Sequence, residues 1–209
     1  MNVRERIIYI HIPKTGGTYI LNTIFNKNNL QAEHNVLSSY NSKDKIICTT
    51  IREPINFYNS LYNFFKNPNH PISNSFQIFV KNYNDITKCI NVILLQKNNI
   101  TNISTPFDKY YIKSKNNYGL LTNYYLYFFN YKGGDIDTFF INLKKKVHFL
   151  KQENLKEDTI HFCNKFNIKY NKTKIDQYIN KNVQSQSLND KTCELIKEKD
   201  YLIYKHFYS

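Results

Sequence analysis

Hydrophobic and polar positions along the chain follow two periods. Short apolar, β-branched runs stand at Ile7–Ile10, Lys45–Ile51 and Lys146–Leu150. Each is bounded by turn or polar residues and reads as a buried strand. Between them the apolar spacing turns helical. Thr18, Tyr19, Ile20, Leu21, Ile24 and Phe25 predict a first helix, and Ile55–Phe65 an aromatic-rich amphipathic one with Pro54 at its first turn. Further helices are expected over Ser73–Tyr83, capped by Ser73 or Ser75, and over Ile86–Gln96. Leu120–Phe129 fits helix or strand and is read as helix. Asp135 opens a short helix to Leu143 with Phe139, Phe140 and Leu143 inward. Lys156–Phe166 carries Glu157 and Asp158 in its first turn, matching the helix dipole, and Asn189–Phe207 closes the chain as a final helix. Asn98–Asn117 and residues 168–187 read as irregular surface segments. Strands separated by helices predict an α/β fold with a central parallel sheet flanked by helices, in one domain over residues 1–209. Neither a repeat nor a dividing linker is evident.

The stretch Arg6–Tyr19, RIIYIHIPKTGGTY, is the one the rest is organised around. It reads as strand, glycine loop, helix. Such a junction aims backbone N–H groups and a helix N-terminus at an anion, and Lys14 adds a mobile positive charge. The spacing is not that of a Walker A loop, because Lys14 precedes Gly16 and Gly17 rather than following them, and it is not GxGxxG. A second strand-to-helix junction follows at Arg52-Glu53-Pro54, with Ser60 eight residues after Arg52.

Composition changes the picture in three places. The net charge of +13 favours anionic partners, although Asn, Lys, Ile and Tyr are all abundant, as an A+T-rich coding sequence produces. The lysines are scattered, and their longest run, Lys144–Lys146, reads as a solvated helix end. The four cysteines, Cys48, Cys89, Cys163 and Cys193, form no CxxC pair, so no zinc site is expected, and Cys163 and Cys193 fall at buried positions of helical patterns. No apolar run is long enough to span a bilayer and no signal-peptide pattern opens the chain, so a cytoplasmic protein is expected.

Read together, IHIPKTGGTYI and TTIREPINFYNSLYNFF resemble two motifs of the PAPS-dependent sulfotransferases, closest to the carbohydrate type that acts on heparan and chondroitin sulfate. The first resembles their 5′-phosphosulfate loop, the second their 3′-phosphate segment. YGLLTNYYL, VHFLKQENLKEDTIHFC and the C-terminal LNDKTCELIKEKDYLIYKHF resemble later family segments more weakly, with Glu153 and Asp200 at the acidic positions. The resemblance implies a P-loop-like three-layer fold and a sulfotransferase moving a sulfuryl group from PAPS to a hydroxyl, leaving PAP. The acceptor it implies is a carbohydrate, and the reaction needs no metal.

The resemblance also assigns roles. The N–H groups of Thr15, Gly16, Gly17, Thr18 and Tyr19 would hold the 5′-phosphate. Lys14 would neutralise charge on the leaving oxygen. Arg52 would clamp the 3′-phosphate with the Ser60 hydroxyl. Sulfuryl transfer is in-line and dissociative in character, so positioning and charge stabilisation dominate. His34 is the first choice of general base and Glu33 the alternative; His34 as a plain loop histidine stays open. His11 is read as a structural support of the loop. Tyr62, Phe64 and Phe65 either stack on adenine or pack in the core. Two rival functions remain at this point: a kinase with a degenerate phosphate loop, dependent on ATP and Mg²⁺, and a basic anion-binding module without catalysis. On the sulfotransferase reading the partners are a nucleotide donor and a hydroxyl acceptor, with no nucleic acid.

Overall fold

The computed structural model describes residues 6–25, 34–66, 78–79, 81–83, 85–95, 107–110, 117–177 and 188–209. In chain order the elements are β1 (Ile7–Ile10), α1 (Gly17–Thr23), β2 (Ile46–Ile51), α2 (Pro54–Lys66), α3 (Ile86–Leu95) and α4 (Leu120–Phe128). There follow α5 (Ile136–Lys146), β3 (Val147–Lys151), α6 (Leu155–Lys165), α7 (Lys172–Gln177), α8 (Asp190–Lys199) and α9 (Tyr201–Ile203), which runs into a π-helical turn at Tyr204–Tyr208. The chain divides into two compact units, each made of two segments: 1–52 with 128–181, and 53–127 with 182–209. The division falls between Arg52 and Glu53, inside the second strand-to-helix junction.

The first unit holds the sheet. Its order is β1-β2-β3 and both pairings are parallel. Ile7 faces Ile46, and Ile47 faces Val147, so all three strands end at the same edge. Parallel strands need crossovers, and helices supply them. On one face Ile7, Tyr9, Cys48 and Leu150 meet Tyr19 and Ile20 of α1, Leu155, Phe162 and Cys163 of α6, and Ile175 of α7 in one apolar core. Helix α5 delivers the chain directly into β3. Asp135 caps it by accepting from the Thr138 N–H at 2.8 Å, and Lys144–Lys146 sit in its last turn, where cations suit the helix dipole.

The second unit is helical among the described residues. Helices α2, α3 and α8 pack on one another. Phe57, Tyr58 and Leu61 of α2, Ile90 and Ile93 of α3, and Ile196 of α8 are buried. The ring of Phe57 meets Tyr124 of α4 edge-on at 5.9 Å.

Several expectations change. The span 168–187 is not irregular throughout, because α7 forms around the buried Ile175 with Asn171 at its start. The final helix is interrupted: Asp200 leaves the helical range and the apolar period breaks there, for the reason given below. Within Asn98–Asn117, Phe107 and Tyr110 are buried around a short 3-10 turn, so that segment is not all surface. Phe139 is half-buried, while Ile136, Phe140 and Leu143 form the inward face of α5. Cys193 is half-buried rather than buried. The expected helix Ser73–Tyr83 lies mostly outside the described residues.

Candidate active site

The site is built at the edge where the strands end. After β1 the chain runs through His11, Ile12, Pro13 and Lys14 before α1 begins at Gly17. Lys14 has φ 64° and Gly16 φ 104°, so two left-handed residues flank Thr15. For lysine that conformation is costly, and a side chain held there marks a backbone over-determined by its surroundings. Left-handed residues in a tight turn are a feature of backbone stretches whose successive N–H groups can receive an anion.

The two glycines have separate causes. Gly16 needs its positive φ, and an added Cβ would also lie 2.8 Å from Leu155 Cδ2. Gly17 is ordinary helix, but an added Cβ would overlap the His11 imidazole. His11 therefore packs on the bare Cα of Gly17. It stacks on His34 at 4.5 Å between centroids and on Tyr9 at 5.9 Å. Burial first, then the charges of His34 and Lys14, push its pKa down to about 3, so the ring stays neutral. Its buried Nδ1 finds no hydrogen-bond partner among the described residues. The expected supporting role of His11 thus has a steric mechanism.

Arg52 follows β2 and reaches across to the loop. Its Nη1 donates to the Lys14 carbonyl at 3.3 Å. Lys14 is half-buried, and burial followed by the Arg52 charge lowers its pKa from 10.5 to about 8. The structure therefore brings Lys14, Arg52 and His11 together. His34 joins them: its Nδ1 lies 3.1 Å from the His11 carbonyl oxygen. A carbonyl can only accept, so Nδ1 carries the proton, and in the neutral ring Nε2 is the basic nitrogen.

The other expected residues fall as follows. The Thr15 side chain is buried under the loop, donating to the Ile12 carbonyl at 2.9 Å, and Thr18 is exposed on α1. The Tyr19 N–H donates to the Gly16 carbonyl at 3.1 Å and its hydroxyl to the Ile175 carbonyl at 3.2 Å, so both Tyr19 donors serve the fold. Ser60 sits half-buried on α2 in the second unit, whereas Arg52 belongs to the first. Glu33 lies outside the described residues. Tyr62 is buried and donates to the Tyr83 carbonyl at 3.3 Å, and Phe64 and Phe65 pack edge-on at 5.4 Å. Tyr62 is thus a core residue, whereas Phe64 and Phe65 are half-buried. Glu53 caps α2, accepting from the Asn56 N–H at 2.8 Å, and bonds the Tyr204 hydroxyl.

Two contributors were not anticipated. Thr50 of β2 bonds Thr15 at 2.7 Å and Tyr9 at 2.8 Å. Gln152, buried just after β3, packs its stem against Gly16. The signal for Thr50 was present in KIICTTI: threonines in a buried strand need partners. Gln152 carried no comparable signal.

Among the described residues no group of three His, Cys, Asp or Glu is placed to hold a metal ion. No described helix is long and apolar enough to cross a membrane. Comparison with known proteins finds no family model, no curated protein sequence and no solved structure that matches the chain.

Proposed function

We propose that the chain is a sulfotransferase that transfers a sulfuryl group from PAPS to an acceptor hydroxyl of the carbohydrate class, on a P-loop-like α/β scaffold. One observation carries the reading. Two cations from separate sequence motifs, Lys14 after β1 and Arg52 after β2, meet at the common end of parallel strands, joined by the Arg52–Lys14 carbonyl bond. Ligands of open α/β sheets bind at that edge. A half-buried lysine whose charge is disfavoured by burial and by a neighbouring guanidinium gains most from a bound anion.

PAPS supplies an activated sulfuryl group whose bond to the bridging phosphate oxygen breaks in the reaction. The chain's part is to hold and to move charge. The turn at Lys14–Gly17 and the start of α1 would receive the 5′-phosphate. The Lys14 ammonium would meet negative charge growing on the departing oxygen. Arg52 would hold the 3′-phosphate. Ser60 stands as its partner on the sequence resemblance alone. His34, with Nδ1–H committed to the His11 carbonyl, would take the acceptor proton on Nε2. The stacked, neutral His11 keeps that ring oriented without competing for the proton.

The test is calorimetric titration with PAP, PAPS, AMP and ATP–Mg²⁺, followed by turnover. PAP is expected to bind and ATP–Mg²⁺ not to. Lys14→Ala should reduce turnover more than PAP affinity, and Arg52→Ala should weaken PAP binding by about 1.5–3 kcal/mol, the loss of a charge-assisted hydrogen bond. Binding of ATP–Mg²⁺ without PAP would replace this reading by the kinase. Full activity in His34→Ala would remove the base.

A further inference from the structure

Three hydroxyls lie beneath the Lys14 loop, and their donor order can be read. Thr15 Oγ1 donates to the Ile12 carbonyl at 2.9 Å. A hydroxyl has one proton. At the 2.7 Å contact between Thr50 and Thr15, the donor is therefore Thr50. That commits the Thr50 proton, so at the 2.8 Å contact between Tyr9 and Thr50 the donor is Tyr9. The chain of bonds runs one way, from Tyr9 through Thr50 and Thr15 to the Ile12 carbonyl. Thr15 and Thr50 are fully buried and Tyr9 nearly so.

β2 and the residue after it hold the backbone on either side of the loop's start twice more. Thr49 donates to the Ile10 carbonyl at 2.8 Å, and Arg52 to the Lys14 carbonyl at 3.3 Å. Carbonyls on both sides of Pro13 are thus tied to β2 or its end, and the left-handed Lys14 sits in the braced span. We infer that Thr50 is a positioning residue: through this one-way hydroxyl chain it holds the Lys14 loop in its anion-receiving shape before an anion arrives. The inference rests on the reading of that loop as an anion grip, and it makes the two motifs one mechanical unit. A loop set in advance binds without first paying the entropy of ordering.

The alternative is that the hydroxyls merely satisfy one another in the core. The full chain, free of ligand, separates the two. Lys14 titration is followed by competitive amine labelling, and the amides of residues 14–17 by hydrogen exchange. Burial, followed by the Arg52 charge, lowers the Lys14 pKa. Thr50→Val removes the donor to Thr15. It should move the Lys14 midpoint up from about 8 toward the ordinary 10.5 and speed loop exchange. Thr50→Ser should restore both. Tyr9→Phe removes only the first donor, so both readouts should stay near those of the unaltered chain. If Thr50→Val lowers the melting temperature but leaves Lys14 titration and loop exchange unchanged, the inference fails. It fails equally if Tyr9→Phe acts as strongly as Thr50→Val. Should Thr50→Val not fold, Thr15→Val, which removes the last link, is judged by the same readouts. None of these measurements needs a nucleotide, so a failure of the sulfotransferase reading, seen as absent PAP binding, is told apart from a failure here.

Discussion

Two charges define the two units, and they are held in opposite ways. In the second unit Asp200 is fully buried. Its Oδ1 accepts from the Thr122 N–H and hydroxyl, both at 2.7 Å, and its Oδ2 from the Tyr58 hydroxyl at 2.8 Å. The Tyr58 oxygen in turn accepts from the Leu120 N–H at 2.8 Å. One carboxylate thereby caps the start of α4, ties it to α2 and fixes the end of α8. Burial raises the Asp200 pKa to about 6, and each of these donors pulls it back down. In the first unit burial and the Arg52 guanidinium both work against the Lys14 charge. The contrast teaches how to sort buried charges. A buried charge whose desolvation is offset by aimed donors is architecture, and one whose desolvation is reinforced by a like charge gains from a ligand of opposite sign.

The sharpest way to break the comparison is Asp200→Ala. It leaves the Thr122 N–H, the Thr122 hydroxyl and the Tyr58 hydroxyl without their acceptor in a dry interior. A loss of roughly 3–5 kcal/mol is expected in urea unfolding, because each stranded donor costs about 1–3 kcal/mol. Asp200→Asn, which keeps an acceptor, should lose less. A loss below about 1 kcal/mol for the alanine variant would show that the hub is not architectural.

A smaller effect is expected where the loop meets His11. Gly17→Ala would drive a methyl group into the imidazole. The expected cost is about 1–3 kcal/mol, as for other overpacked sites. The double variant His11→Ala/Gly17→Ala should recover most of it, giving a coupling energy that a double-mutant cycle reads directly. Additive losses would mean that His11 does not pack on Gly17, and the mechanism given for the second glycine would fall.

These two sites also show what the sequence could and could not reveal. Strand, loop and helix at Arg6–Tyr19 were legible because β-branched runs, Gly-Gly and a helical apolar stripe all pointed one way. So were β2 and α2, where Pro54 marked the junction. The meaning of Gly17 was not legible, because it depends on a histidine placed over it by the fold rather than by spacing. Asp200 is a similar case. Its partners Tyr58 and Thr122 are remote in sequence, and a polar residue in a helical pattern reads as solvated until tertiary contacts bury it. The break in the last helix follows from the same bonds: the residue that leaves the helical range is the one whose carboxylate reaches α4. Ile175 shows the reverse: the one apolar residue of α7 docks that helix onto the core, beside Ile168 of the same segment. Lys14 and Arg52 were each legible as candidates, but their meeting required the parallel register of β1 and β2.

The subtlest test uses pH, because the two charges must respond with opposite signs. Asp200 has a folded pKa raised from 3.8 to about 6, so between those values the folded state binds more protons than the unfolded one. Its contribution to stability is present below about 4 and is lost as pH rises through about 6. Lys14 has a folded pKa lowered from 10.5 to about 8, so between those values the unfolded state binds more protons. Its contribution to stability therefore grows as pH rises from about 8 to 10.5. Other groups titrate in both windows, so the quantity to measure is a difference: the unaltered chain minus Asp200→Asn in the acid window, and minus Lys14→Met in the alkaline one. The first difference should fall with pH and the second should rise. A bound anion should diminish only the second, since it restores the ammonium in the folded state and moves the Lys14 pKa back up. Inorganic sulfate or PAP, added at pH 9, should then flatten the alkaline rise and take up protons on binding. A rise that persists unchanged with saturating anion would mean that the anion does not reach Lys14, and the contrast in how the two charges respond would be lost.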